Sequence, residues 1–235
     1  MKYKYLILFL SVVLLYSCSN TSNDPEFMNK ATGRYLYNSD EVIEVYFKEN
    51  KLYLIWRGAK SIKPLRLNDT TFFVKEMNEK IQFLKNPSDQ KDYIVLVPKE
   101  KNKSIEFNYR KLTKGEKIPS EYLENNEFDN ALKGYQAIKE KDSLDSALNE
   151  RNLNSLGYRE LRKDNYENAI AIFSMNVTLH PTSYNVYDSL GEAFLKSGDT
   201  AQALVNYKKS LVYDSGNKRI KRTIERLEKR TINKE

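Results

Sequence analysis

A spacing of 34 residues constrains this chain more than any other feature. Leu156 and Leu190, Gly157 and Gly191, Ala169 and Ala203, and Phe173 and Tyr207 all match at that one offset. Self-similarity at a fixed period of this length is produced by stacked helical hairpins, each of which buries its apolar face only against the next. The residue types suit that packing. The glycines fall in the first helix of each pair, where a missing side chain lets the second helix come close. The alanines supply the matching small residue on the second helix, and Phe173 and Tyr207 are expected to fill the gap between successive pairs. Asp164-Asn165 and Gly198-Asp199 supply the turns within pairs, and Pro181 stops a second helix. Upstream, 121–138 repeats half of the motif with Ala131 and Tyr135, but Ala131 and Ala169 are 38 residues apart. The reading is a degenerate first unit and a helix lengthened through 145–163. Downstream, Ile220, Ile224 and Leu227 form an apolar stripe at helical spacing within 218–235, which predicts a basic capping helix that ends the stack.

These positions resemble the tetratricopeptide repeat family over 150–217, with helical units expected across 119–217. Glu160, where the family prefers an aromatic, and Ser215, where it prefers proline, depart from the pattern. The resemblance implies that the first helices of successive units line a concave face. Counting from Glu150 and Tyr184 as unit starts, the groove-facing residues are Arg151, Asn154, Tyr158, Arg162, Asn185, Asp188, Glu192 and Lys196. A groove offering both donors and acceptors suits a protein or peptide partner.

Residues 31–112 have a different period. The runs EVIEVYF, KLYLIW, TFFVKE, KIQFL, DYIVLV and SIEFNY alternate, are rich in β-branched and aromatic residues, and are separated by short polar breaks. An antiparallel meander is expected, curling into a small barrel or half-barrel, with Ile43, Val45 and Phe47 on one face and Ile105, Phe107 and Tyr109 on another. The fold class is therefore α+β: a β domain, a boundary in the aperiodic segment TKGEKIPS (113–120), then a helical solenoid.

The chain has one cysteine, Cys18, and one histidine, His180. That rules out an intramolecular disulfide and the thiol or imidazole clusters that hold zinc, so no cofactor is expected. Residues 1–17 carry Lys2 and Lys4 and then an apolar run, the layout of a secretory signal, too short for the roughly 20 residues of a spanning helix. Leu15-Tyr16-Ser17-Cys18 resembles the lipobox of bacterial lipoproteins, with Tyr16 departing from the usual small residue. The resemblance implies a lipid on Cys18, a linker over 18–30, and a cell-envelope location at the outer membrane facing the periplasm. The net charge of +7 is concentrated in 218–235, which holds eight Lys/Arg against three Glu. That segment has no aromatic residue to stack on bases, so nucleic acid is not an expected partner.

GRYLY (33–37), KLYLIW, PLRLNDTTFF (64–73) and KIQFL are similar to the small β domain that follows the catalytic domain in penicillin-binding-protein-like serine hydrolases. In Bacteroidota chains that domain is often followed by repeats worded like YDSLGEAFLKSGD (187–199). The resemblance covers the non-catalytic half only. The nucleophile of those hydrolases is a serine whose proton passes to a lysine one helical turn away in Ser-x-x-Lys, and the catalytic part with that pair is expected to be missing. Tyr166-Glu167-Asn168 matches their Tyr-x-Asn, but between repeat helices. The expected function is a membrane-anchored, non-catalytic interaction scaffold. The alternatives are a lipocalin-like small-ligand carrier built on the β domain and an accessory module of a cell-envelope serine hydrolase.

Overall fold

The computed structural model describes residues 23–100 and 102–232. Cys18 and the expected leader lie outside the described residues. In chain order the elements are α1 (Pro25–Ala31), β1 (Gly33–Asn38), β2 (Glu41–Lys48), β3 (Lys51–Trp56), β4 (Ala59–Ile62), β5 (Leu65–Arg66), β6 (Thr71–Val74), β7 (Glu79–Lys85), β8 (Asp92–Leu96) and β9 (Tyr109–Arg110). Then come α2 (Pro119–Glu124), α3 (Phe128–Lys141), a single 3-10 turn (Ser146–Leu148), α4 (Glu150–Leu161), α5 (Tyr166–Leu179), α6 (Tyr184–Ser197), α7 (Thr200–Tyr213) and α8 (Lys218–Ile232). The architecture is α+β, antiparallel strands followed by a tetratricopeptide-like helical stack. It divides into two compact units: Glu44–Phe107 with the residues up to Gly33, and Arg34–Ile43 with Asn108 onward. The break near residue 112 expected from composition misses the excursion of Arg34–Ile43 into the helical unit.

In the β unit, β2, β3 and β4 form one antiparallel meander, and β5, β6, β7 and β8 form a second. Glu49-Asn50 and Arg57-Gly58 all take positive φ, which gives two-residue turns whose twist matches the flanking strands. Val45 faces Leu54, and Phe72 faces Ile81. The sheets are not closed into a barrel, so the lipocalin-like expectation loses its scaffold. Two other expectations are corrected. The 18–30 stretch is not wholly linker, because Asp24 accepts the Phe27 N–H at 3.1 Å and starts α1 one residue later. From α1, Phe27 stacks on Phe72 (centroids 6.0 Å) and meets Phe47 and Phe83 edge-on (6.0 and 5.5 Å), which fills the core with aromatic rings. The run SIEFNY is strand only from Tyr109, and Ile105 is exposed. Of its alternating apolar residues Phe107 still packs edge-on to Tyr93 at 5.3 Å between centroids.

In the helical unit, α4, α6 and α8 begin at Glu150, Tyr184 and Lys218. The period of 34 therefore extends to α8, which packs Ile220, Ile224 and Leu227 on Ala203 and Tyr207 of α7. The turns inside successive pairs use Asn126 (φ 58), Asp164 (φ 58) and Gly198 (φ 94), the left-handed conformation that such a reversal needs. The glycines work as their spacing predicts, letting the second helix of each pair come close. A Cβ on Gly157 would lie 2.5 Å from the Phe173 ring, and one on Gly191 would lie 2.9 Å from the Tyr207 ring. Each aromatic thus caps the glycine of its own pair and also fills the gap to the next, Phe173 clustering with Leu190 and Ala193 of α6 and Tyr207 with Ile220 and Ile224 of α8. The expected long helix through 145–163 is broken. The longer connection contains the three-residue 3-10 turn, and Asn149 restarts the helix by accepting the Arg151 N–H at 2.9 Å. Glu160 takes its non-aromatic place because its carboxylate ties the turn, accepting from Lys163 at 2.8 Å and Asn165 at 2.9 Å.

The β1–β2 turn joins this unit through polar contacts. Asp40 accepts the Ser120 N–H and the Tyr135 hydroxyl, both at 2.7 Å, so it caps the start of α2 while holding α3. Burial raises its carboxyl pKa above the ordinary value. Arg34 donates to the Glu116 carbonyl at 2.8 Å and pairs with Glu121, and Ser39 donates to Asp145.

Candidate functional site

The inner face is built from first helices lying side by side. Glu150 and Asn185 join α4 to α6, with Asn185 Nδ2 donating to Glu150 Oε1 at 2.8 Å. One helical turn and more further along, Tyr158 Oη donates to Glu192 Oε2 at 3.0 Å. Arg219 of α8 pairs with Asp188 of α6. Residues i, i+3 or i+4, and i+7 share a helix face, which is why Asn185, Asp188 and Glu192 project together from α6. The second helices stay behind this face. Asn176 of α5 donates to the Glu150 carbonyl at 3.1 Å, and Ser210 of α7, 34 residues on, donates to the Tyr184 carbonyl at 2.9 Å. Each hairpin is thus pinned by the same side-chain-to-backbone bond at the start of its first helix.

The eight expected groove residues fall into two groups. Asn154, Tyr158, Asp188 and Glu192 are partly buried and converge at the middle of the face, and Asn185 sits partly buried at its edge. Arg151, Arg162 and Lys196 are exposed at the helix ends and stand apart from that centre. The centre includes residues the sequence reading passed over: Ser189, Tyr207 and Arg219 lie within electrostatic reach of Tyr158, Asp188 and Glu192. Adding 34 to 185, 188 and 192 gives Arg219, Arg222 and Arg226, so the repeat itself held the signal.

The electrostatics of the centre follow from burial. The Tyr158 phenol, edge-on to Phe173 at 5.2 Å, is pushed up to about 12 by desolvation and the nearby Glu192 and Asp188 carboxylates. Tyr207 is pushed up to about 12 by the same causes. Both therefore stay protonated donors at neutral pH. The Asp188 side chain is 15% exposed, and its Oδ1 is buried without a donor while Oδ2 takes Arg219. Asn154, at the equivalent repeat position on α4, also has a buried Oδ1 with no donor. Buried acceptors lacking donors are costly and uncommon.

A cavity of about 730 Å³ opens at the N-terminal ends of α4 and α6, lined among others by Ser143, Glu150, Arg151, His180, Ser183 and Asn185. Burial lowers the pKa of His180, one of the lining residues, whose Nε2 is buried with no donor.

The remnants of hydrolase chemistry do not assemble. Two serines do have lysine at the third following position, Ser88–Lys91 and Ser215–Lys218. Ser88 lies in the β7–β8 turn and Ser215 in the α7–α8 turn, neither on a helix that would set the lysine one turn away. Tyr166-Glu167-Asn168 opens α5, where Tyr166 donates to Asp164 at 2.8 Å and Asn168 to Asn126 at 3.1 Å. Among the described residues no group of three or more His, Cys, Asp or Glu is placed to hold a metal ion. Among them, too, no helix is long and apolar enough to cross a membrane.

No protein-family model matches this chain, and no curated protein does. Solved structures that match include the first tetratricopeptide domain of Spaghetti (RPAP3) bound to an HSP90 peptide, at 14% identity over 48% of this chain and 87% of that one, with a TM-score of 0.35. They also include the Yersinia enterocolitica type III secretion translocator chaperone SycD (16%, 48% and 80%, 0.34) and MamA (15%, 49% and 85%, 0.35). At such values the class of the fold, a tetratricopeptide-like stack, rests on the repeat geometry above.

Proposed function

We propose that this protein is an envelope-anchored interaction scaffold. It grips a protein or peptide segment along the inner face of α4, α6 and α8 and performs no covalent chemistry. The observation that carries this reading is the row of partly exposed polar residues along the first helices, Asn154, Tyr158, Asn185, Asp188 and Glu192, with the Tyr158–Glu192 bond joining α4 to α6. A face offering both donors and acceptors suits an extended segment, which presents both from its backbone and side chains. Cys18 is the proposed lipid attachment point, with the anchor in the outer membrane on its periplasmic side.

Capture from crosslinked membranes tests the reading, with the native chain beside Asn185→Arg and Glu192→Arg combined, at partly exposed positions of α6 on that face, the fold of both checked by circular dichroism. A partner held by the native chain and lost by the variant is the expected result. Capture that the variant leaves unchanged refutes a groove-borne partner. Radiolabelled palmitate should mark the native chain but not Cys18→Ser. Label on both would refute the anchor.

A further inference from the structure

The inner face carries charge in an ordered way along the repeat. Its α4 column is neutral at the centre, with Asn154 and Tyr158. Its α6 column is acidic, with Asp188 and Glu192, and its α8 column is basic, with Arg219, Arg222 and Arg226 at the same three repeat positions as Asn185, Asp188 and Glu192. The helix geometry of α8 supports the alignment. Its buried stripe is Ile220, Ile224 and Leu227, and Glu228 reaches Lys208 of α7 at 2.7 Å. At 100° per residue this leaves 219, 222 and 226 together on the side where Arg219 meets α6. Asp188, Glu192 and Arg219 together carry one net negative charge. Glu192 receives a neutral donor from Tyr158, and the second Asp188 oxygen receives none. Because that Asp188 oxygen is buried, the uncompensated negative charge is offered to the groove by partly exposed Glu192, while exposed Arg222 and Arg226 leave positive charge over α8.

We infer that the groove selects a polypeptide segment with a built-in charge order: a lysine or arginine seated on Glu192, and an aspartate or glutamate over Arg222 and Arg226. This rests on the groove reading above and specifies its ligand. Packed helices are spaced by about 10 Å and an extended chain advances about 3.3 Å per residue, so the two ligand charges are about three residues apart. The opposite order places like charges together at both ends and is rejected.

A random-peptide display library panned on the full chain tests this. The expected selection has a basic residue at a fixed position and an acidic residue about three residues from it. Glu192→Gln, which keeps an acceptor for Tyr158, returns the basic position to library frequency and weakens the best native peptide about tenfold. Arg222→Gln with Arg226→Gln does the same for the acidic position only. Peptides that bind without a charge order, or whose preferences neither variant shifts, overturn the inference while the groove reading stands. A native chain that selects no peptide overturns both. Sedimentation with phosphatidylglycerol vesicles that Arg222→Gln with Arg226→Gln abolishes, with no acidic preference in the panning, assigns α8 to a lipid surface and also overturns the inference.

Discussion

Replacing Gly157 by alanine isolates the contact on which the repeat is built. A Cβ at this position would sit 2.5, 2.6 and 2.9 Å from three atoms of the Phe173 ring. That ring is fully buried among Leu161, Ala169, Leu190 and Ala193, with Tyr158 edge-on, so it has no direction in which to yield. Overpacking of a closed core costs about 1–3 kcal/mol, and the better helix propensity of alanine returns about 0.8–1 kcal/mol. The net expectation is a loss of about 0–2 kcal/mol, towards the upper end because the ring cannot yield, read by urea unfolding followed through helical circular dichroism. Gly191→Ala is the internal control. Its Cβ meets the Tyr207 ring at 2.9–3.2 Å, a few tenths of an ångström of adjustment, so its net effect should lie near zero. Phe173→Leu should then make Gly157→Ala cheaper by about 1 kcal/mol or more, the coupling expected of two groups in direct contact. A Gly157→Ala chain as stable as the native one, with no coupling to Phe173, would refute the ring-on-glycine account.

Three further outcomes follow from particular contacts. Glu116 is held down to about 2 by Arg110, which donates to it at 2.5 and 3.2 Å, and by the Thr113 N–H and hydroxyl. Its folded pKa lies below the unfolded value of 4.5, so its contribution is full above pH 4.5 and is lost as pH falls towards 2; Glu116→Gln should flatten acid titration of stability in that window, and an unchanged profile would count against the pairing. Tyr158→Phe takes the donor from Glu192, costs roughly 1 kcal/mol, and removes one phenol from the group that ionises near 12 in an ultraviolet titration. Asn149→Ala removes the cap of α4 and should cost about 1 kcal/mol in the same urea experiment; no loss would mean that the 3-10 turn alone starts the helix.

The helical half was legible because its signal is covalent spacing. Gly157 with Phe173 and Gly191 with Tyr207 are contacts between residues 16 apart, and the period reports them twice. The same period pointed to Arg219, Arg222 and Arg226 as inner-face residues. Reading 218–235 as a cap obscured that, because its charge density drew attention away from its register. The strands from Glu41 to Leu96 were visible as alternation, whereas closure into a barrel depends on strand pairings that alternation does not encode. The capture of Arg34–Ile43 by the helical unit was invisible for a related reason. It depends on Asp40 meeting Ser120 and Tyr135, contacts 80 and 95 residues away in sequence, which leave no local pattern. Helix breaks are likewise decided by single caps such as Asn149, so a long periodic run from 145 to 163 could not show where α4 begins. The centre of the candidate site was legible where both members lay on expected positions, as with Tyr158 and Glu192. It was hidden where the partner, Tyr207, had already been given a packing role.

The central claim is that the inner face of α4, α6 and α8 is the binding surface. Amide hydrogen exchange of the native chain, with and without its crosslink-captured partner or best selected peptide, tests it most directly. The account predicts added protection in 150–162, 184–197 and 218–227, with 41–96 unchanged. Protection confined to 41–96, or to the second helices at 166–179 and 200–213, would contradict it.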